Sequence, residues 1–141
     1  MASIPFHDRE GWIWFDGEFT PARDAKVHVL THAMHYASAV FEGERAYGGT
    51  VFKSREHSER LIRSGKIMGF QVPYEAEEID RAKHELVAKM GFSDCYLRAL
   101  AWRGSEALGV SAKHNTIHCA IAAWEWGDYF ADKMKGVRLM I

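Results

Sequence analysis

Ser54-Arg55-Glu56-His57-Ser58-Glu59-Arg60-Leu61-Ile62-Arg63-Ser64-Gly65-Lys66-Ile67-Met68-Gly69, with Pro73 to Gly91 after it, decides how this chain folds. Ser54 is a suitable N-cap and Gly69 a suitable stop, so the first segment reads as a helix running to about Met68. His57, Leu61, Ser64 and Met68 recur at helical spacing and predict its inner face, with Arg55, Glu59, Arg63 and Lys66 mostly elsewhere. A second helix follows Pro73-Tyr74. Its residues Ile79, Ala82, Leu86, Val87 and Met90 form an apolar stripe, and Gly91 closes it.

Strands flank this helical pair on both sides. Trp12-Ile13-Trp14-Phe15, Asp16-Gly17 and Glu18-Phe19-Thr20 make a hairpin signal, with aromatic and β-branched residues around a dipeptide suited to a type I′ turn. Pro21 and Asp24 break the pattern. Ala39 to Phe41 and Arg45 to Tyr47 read as strand again, and Gly48-Gly49 turns the chain into Thr50-Val51-Phe52. Beyond the helices come Tyr96 to Trp102 and Thr116 to Trp124; the run Ile117 to Ala123 is apolar enough for a central strand. The fold class is therefore α+β, a mainly antiparallel sheet with two helices packed on it. Gly136 to Ile141 reads as a further strand, whose edge would need a partner. The expectation is a small domain over 1–135 and, over 136–141, the start of a missing C-terminal domain.

Composition narrows the function classes. The chain has 141 residues, enough for one domain with a core of useful size, and is 48% hydrophobic and 26% charged. Eighteen basic against nineteen acidic residues give a formal charge of -1, which supplies no electrostatic reason to expect a nucleic-acid or membrane-surface partner. No apolar run approaches the roughly 20 residues of a membrane span. The N-terminus lacks the basic start and apolar block of a signal peptide, so a cytoplasmic location is expected. Cys95 and Cys119 sit in strand-like stretches and read as reduced, buried thiols.

Val27 to Tyr47 carries three histidines, two tyrosines, an arginine and an acidic pair, a density that chemistry or recognition explains better than a plain strand and turn. His28, His32 and His35 would share a helix face and could ligate zinc. Val27-His28-Val29-Leu30 looks extended, however, and favours capping, turn-forming or packing histidines over a metal site. Arg60 lies at the edge of the first helix's stripe, in line with Ser64 and Ile67; it is either a snorkelling surface arginine or an anion ligand. In the strand Tyr96 to Trp102, alternation puts Tyr96, Arg98, Leu100 and Trp102 on one face. A guanidinium there needs a partner: a bound carboxylate that Tyr96 also hydrogen-bonds, or an internal acidic residue. Leu108-Gly109-Val110, Trp124 and Trp126 can line an apolar pocket or simply belong to the core.

The order of these segments resembles the branched-chain amino-acid aminotransferases, pyridoxal-phosphate enzymes of the class IV transaminase fold. The likeness runs through Ile13-Trp14-Phe15-Asp16-Gly17-Glu18, Lys26-Val27-His28-Val29-Leu30-Thr31-His32, His35-Tyr36-Ala37-Ser38-Ala39-Val40-Phe41-Glu42-Gly43, Arg45-Ala46-Tyr47, Arg55-Glu56-His57, Arg60-Leu61, Tyr96-Leu97-Arg98 and Trp126-Gly127. The resemblance implies that Arg60 binds the cofactor phosphate, that Phe41 and Trp126 wall the substrate side-chain pocket, and that Gly43 leaves space beside them. It implies that Tyr96 and Arg98 receive the substrate α-carboxylate, and that Arg98 pairs with the second carboxylate of glutamate. Tyr36, Leu108 and Val110 would reach into a neighbouring subunit's pocket, making a homodimer or higher homo-oligomer part of the site. The implied substrates are branched-chain amino acids and 2-oxo acids, with pyridoxal 5'-phosphate as cofactor.

Two departures stand out. Glu44 occupies a place where the family usually has an apolar residue. The family's catalytic lysine, which holds the cofactor as a Schiff base, lies in the second domain beyond Ile141, and neither Lys133 nor Lys135 sits in a matching motif. The expectation is that these 141 residues alone do not catalyse. D-amino-acid or amine transaminases and aminodeoxychorismate lyase share the fold and are the enzyme alternatives; a non-catalytic binding or dimerisation module is the alternative from another class.

Overall fold

A computed structural model describes residues 4–126, 135–136 and 138–140. Strands β1 (Trp12–Phe15) and β2 (Glu18–Pro21) form the first hairpin, with Asp16 and Gly17 at positive φ in its two-residue turn. A short helix α1 (His32–Tyr36) leads into β3 (Ala39–Phe41), β4 (Glu44–Tyr47) and β5 (Thr50–Val51). Helices α2 (Ser54–Ile67) and α3 (Ala76–Met90) follow, then the long strands β6 (Cys95–Arg103) and β7 (Ile117–Trp124).

The strands form one sheet in the order β2-β1-β7-β6-β4-β5, with β3 also on β6 and every pairing antiparallel. This is the α+β architecture that the alternation of strands and helices predicts. The expected central strand is β7, between β1 and β6. Helices α2 and α3 pack on one face only, where Leu61, Ile79, Leu86, Leu97 and Ile121 are fully buried. At about 25 cal/mol per Å² of apolar surface, that shared layer is the main source of stability.

Along β6 the period of two is nearly perfect. Cys95, Leu97, Ala99 and Ala101 face the helices, while Tyr96, Arg98 and Leu100 lie half-buried on the other face. The edge opposite is laid down by β3 and β4, which pair in succession with β6 and are separated by Glu42-Gly43. Alternation continues through that break: Glu42, Glu44 and Ala46 are buried towards the helices, and Phe41, Gly43 and Arg45 take the open face. One strand line thus sends its carboxylates to one side of the sheet and its pocket residues to the other.

Three expectations need correction. The N-cap of α2 is Lys53, in left-handed conformation at φ 54, and Ser54 is the first helical residue, with its hydroxyl buried. The inner face of α2 is Ser54, Ser58, Leu61 and Gly65, and Met68 is exposed; Phe70 and Val72 press so closely on Gly65 that a side chain there would force them to give way by a few tenths of an ångström. The third concerns the segment before β3: beyond residues 27–30, which read as extended, the chain forms the short helix α1, an element that the sequence pattern does not assign. His32 anchors it, buried among the Ser38 hydroxyl (2.8 Å), the Gly109 carbonyl (3.1 Å) and the Tyr36 ring stacked at 4.4 Å. Lys133 and Gly127 lie outside the described residues, as do Val137 and Ile141 of the strand expected over 136–141; Arg138, Leu139 and Met140 are not in a strand.

The second helix keeps its expected limits. Glu75 and Glu78 form a reciprocal capping box at its start, and Gly91, at φ 68, closes its end. Among the described residues no helix is long and apolar enough to cross a membrane.

Candidate functional site

The open face carries one compact cluster. Arg98 donates from Nε and Nη2 to the Tyr96 hydroxyl, at 3.2 and 2.9 Å, and its guanidinium lies 4.2 Å from the centre of the Phe41 ring. Tyr96 in turn meets Trp124 at 4.8 Å and Trp126 at 4.9 Å. A Cβ on Gly43 would collide with the Tyr96 hydroxyl, so the glycine makes the room in which that hydroxyl stands. Phe41, Gly43, Tyr96, Arg98 and Trp126 therefore come together. Of the two partners that the sequence left open for Arg98, an internal acidic residue is not found among the described residues.

Arg45, which sequence reasoning passed over, belongs to the same cluster. It pairs with Tyr96 across β4 and β6 and donates from Nη1 to the Trp126 carbonyl at 3.1 Å. Its Nε is buried without a hydrogen-bond partner among the described residues. The signal was present, since Arg45 lies two residues from Gly43 on a strand of period two.

Arg60 stands on the other side of Glu42-Gly43. Its Nε and Nη2 donate to the two oxygens of Glu42, each at 2.6 Å, and His57 Nδ1 lies 2.7 Å from the same carboxylate. Glu42 is almost fully buried while Arg60 is about half exposed. Burial alone would push the Glu42 carboxyl up, but the hydrogen bonds and charges of Arg60 and His57 outweigh it and hold it below the usual range. Two of the five guanidinium N–H groups serve Glu42, and the Nη1 pair has no carboxylate among the described residues. The remaining N–H groups of such a half-exposed, oriented guanidinium can meet the oxygens of a phosphate.

Behind Glu42, Glu44 meets Lys83 of α3 in a fully buried ion pair, 2.8 Å from Nζ to Oε1 and 2.9 Å to Oε2, with hydrogen-bond geometry met at Oε2. Burial pushes the Glu44 carboxyl up and the Lys83 ammonium down, and each opposes the other's shift by its own charge.

Tyr36, Leu108 and Val110 form a separate group. The Tyr36 hydroxyl donates to the Leu108 carbonyl at 3.1 Å, and all three side chains are exposed, Val110 at 86%. The other two histidines are likewise engaged singly: His28 Nδ1 accepts from the Leu30 amide, and His35 Nε2 lies 3.0 Å from the Val29 carbonyl.

Comparison with known proteins gives this arrangement a context. The family model for Amino-transferase class IV matches residues 39–141. The branched-chain-amino-acid aminotransferase of Pseudomonas aeruginosa is 42% identical over 130 residues, covering 89% of this chain and 42% of that protein. The crystal structure of the branched-chain aminotransferase from the thermophilic archaeon Thermoproteus uzoniensis with norvaline superposes with a TM-score of 0.82 at 38% identity, over 87% of this chain and 43% of that one. The crystal structure of the Escherichia coli branched-chain amino acid aminotransferase gives a TM-score of 0.83 at 38% identity, over 88% and 43%. The chain thus spans about two fifths of the length of these relatives. A family match over most of its length, and a sheet and helices that superpose on solved members, make the chain a member of the class IV amino-transferases.

Proposed function

We propose that these residues form the N-terminal small domain, 1–135, of a branched-chain amino-acid aminotransferase, with 136–141 leading into a cofactor domain. The reaction is transfer of an amino group from leucine, isoleucine or valine to 2-oxoglutarate. The observation that carries the reading is Arg98: a guanidinium on a half-buried aromatic face, braced by Tyr96 and lying over Phe41, with no carboxylate partner among the described residues. Such a group is stable when a ligand carboxylate completes it.

The remaining residues divide the work. Phe41 and Trp126 wall an apolar pocket suited to a branched aliphatic side chain, and Gly43 keeps it open next to Tyr96. The same Arg98 accepts the second carboxylate of glutamate, which lets one pocket serve both halves of the exchange. Tyr96 fixes the guanidinium plane so that a carboxylate meets two N–H groups at once. Arg60, held by Glu42, receives the phosphate of pyridoxal phosphate, and His57 supports the carboxylate that holds it. When bound, that cofactor supplies the electron sink for breaking a bond at the amino-acid α-carbon. The likeness to the relative solved with norvaline, an unbranched amino acid of similar size to valine, supports an apolar amino-acid pocket here. Tyr36, Leu108 and Val110 project towards a second copy of the chain, completing its pocket in a homodimer.

The test uses the full-length protein carrying this sequence, loaded with pyridoxal phosphate. Turnover of leucine, isoleucine and valine with 2-oxoglutarate is expected, and Arg98→Leu is expected to lose it. Preference for D-amino acids or amines, or lyase activity on aminodeoxychorismate, would overturn the assignment. Residues 1–141 alone are expected to show no turnover.

A further inference from the structure

Glu44 is the residue that neither the family pattern nor the site accounts for, and Lys83 explains it. Lys83 is fully buried on α3, and its ammonium spends all three protons: on Glu44 Oε2 at 2.9 Å, on the Ser58 hydroxyl at 2.9 Å and on the Ser54 carbonyl at 3.2 Å. Ser58 itself donates back to the Ser54 carbonyl at 2.9 Å. A single cation on α3 therefore ties the strand β4 to the first turns of α2.

The placement of that tie matters. Ser54 and Ser58 lie on the same helix as His57 and Arg60, while Glu44 lies two residues from Glu42 on the same face of the same strand line. Any slide of α2 along the sheet that lengthened the Lys83 contacts would also open the Arg60–Glu42 fork, whose two bonds are both 2.6 Å. Leucine and isoleucine packing alone is non-directional and tolerates such slides. A buried, directional ion pair does not.

We propose that Glu44 and Lys83 are positioning residues that set the register of α2 against β3 and β4, and so fix the guanidinium of Arg60 in its anion-receiving orientation. That the anion is a phosphate rests on the reading above; that the pair orients Arg60 does not.

The experiment measures hydrogen exchange of the Arg60 Nε–H by side-chain NMR in the full-length chain, with exposed Arg63 as internal reference, and then titrates inorganic phosphate. The main variant is Glu44→Leu with Lys83→Met, which replaces both charges by apolar groups of similar shape and so preserves the fold. With the melting temperature unchanged, Arg60 protection is expected to fall about tenfold and phosphate affinity about as much. Ser58→Ala removes a single prong and is expected to lower Arg60 protection about threefold, a smaller step in the same direction. A folded double variant with parental Arg60 protection overturns the proposal. Should the double variant not fold, unchanged protection in Ser58→Ala overturns it. A parent chain that protects Arg60 yet takes no phosphate would remove the phosphate reading and leave the positioning role standing.

Discussion

Arg60 grips Glu42 with two parallel hydrogen bonds of 2.6 Å, and the grip joins an exposed helix position to a buried carboxylate. Because Arg60 and His57 hold the Glu42 carboxyl below its ordinary value of 4.5 against the effect of burial, the ionised form stabilises the fold. The sign follows: a carboxyl lowered on folding contributes stability above its unfolded value, and that contribution is lost as pH falls through the folded value. Glu42→Gln is therefore expected to cost about 2 kcal/mol near neutral pH, since charged hydrogen bonds become neutral ones. Urea unfolding of both proteins across pH should show the gap narrowing as pH drops below 4.5. A gap constant with pH would mean that the charge contributes nothing.

The Glu44–Lys83 pair makes the opposite prediction. Lys83→Met leaves a carboxylate buried and unpaired, at a cost of about 3–5 kcal/mol, whereas adding Glu44→Leu should recover most of it. Burial already pushes the Glu44 carboxyl up, and the single variant removes the charge that resists this. A carboxyl raised on folding destabilises once pH exceeds its unfolded value, so Lys83→Met should gain stability as the solution is acidified from neutrality. Additive single-variant costs in the double would rule out coupling between the two side chains.

How far the sequence could be read depended on whether apolar side chains carried the signal. The stripe of α3, the hairpin at Asp16-Gly17 and the alternation of β6 are written in large apolar residues and turn formers, and the structure follows them. Arg98 was legible for the same reason, as a cation in an otherwise apolar alternation. The inner face of α2 was misplaced because Ser54, Ser58 and Gly65 are its buried residues, and small or polar side chains have no hydrophobic period. Lys83 reads as a surface residue in any sequence; its burial follows from Glu44, which lies 39 positions earlier. Helix α1 spans five residues, too few for periodicity, and is held by the Gly109 carbonyl from 77 positions away. Contacts made across such distances belong to the fold and leave no local trace.

Cys95 and Cys119 are both free and buried, and burial pushes the Cys119 thiol up to about 12. The nucleophilic thiolate is thus almost absent near neutral pH. Both thiols should react with an aromatic disulfide reagent at least about 100-fold more slowly in the native protein than in urea, at a rate that follows opening of the core. Prompt native labelling of either would contradict the burial of β6 and β7.

Gly43→Ala places a methyl group where the Tyr96 hydroxyl stands. The tyrosine ring packs against both Trp124 and Trp126, which stack on each other, so withdrawal of its hydroxyl would disturb those contacts. A stability cost of about 1–3 kcal/mol is expected from the overpacking. In the full-length protein the same change should raise KM for glutamate and leucine together, because Arg98 loses its brace. A variant with parental melting temperature and KM would show that the hydroxyl moves aside freely.

Tyr96→Phe isolates the hydroxyl from the ring. The aromatic contacts with Trp124 and Trp126 are retained, so stability should change by less than about 1 kcal/mol. What disappears is the oxygen that accepts from both Nε and Nη2 of Arg98, leaving the guanidinium steadied only by the faces of the Phe41 ring and the ring at position 96, 4.2 and 5.4 Å away. A freer guanidinium loses more entropy on ordering when a carboxylate binds, so KM for 2-oxoglutarate should rise about tenfold in the full-length enzyme while kcat falls less. The dianion 2-oxoglutarate should suffer more than leucine, because it depends on Arg98 for a second carboxylate as well as for the first. Equal losses for both substrates would assign Tyr96 to the α-carboxylate alone and detach Arg98 from the choice between them.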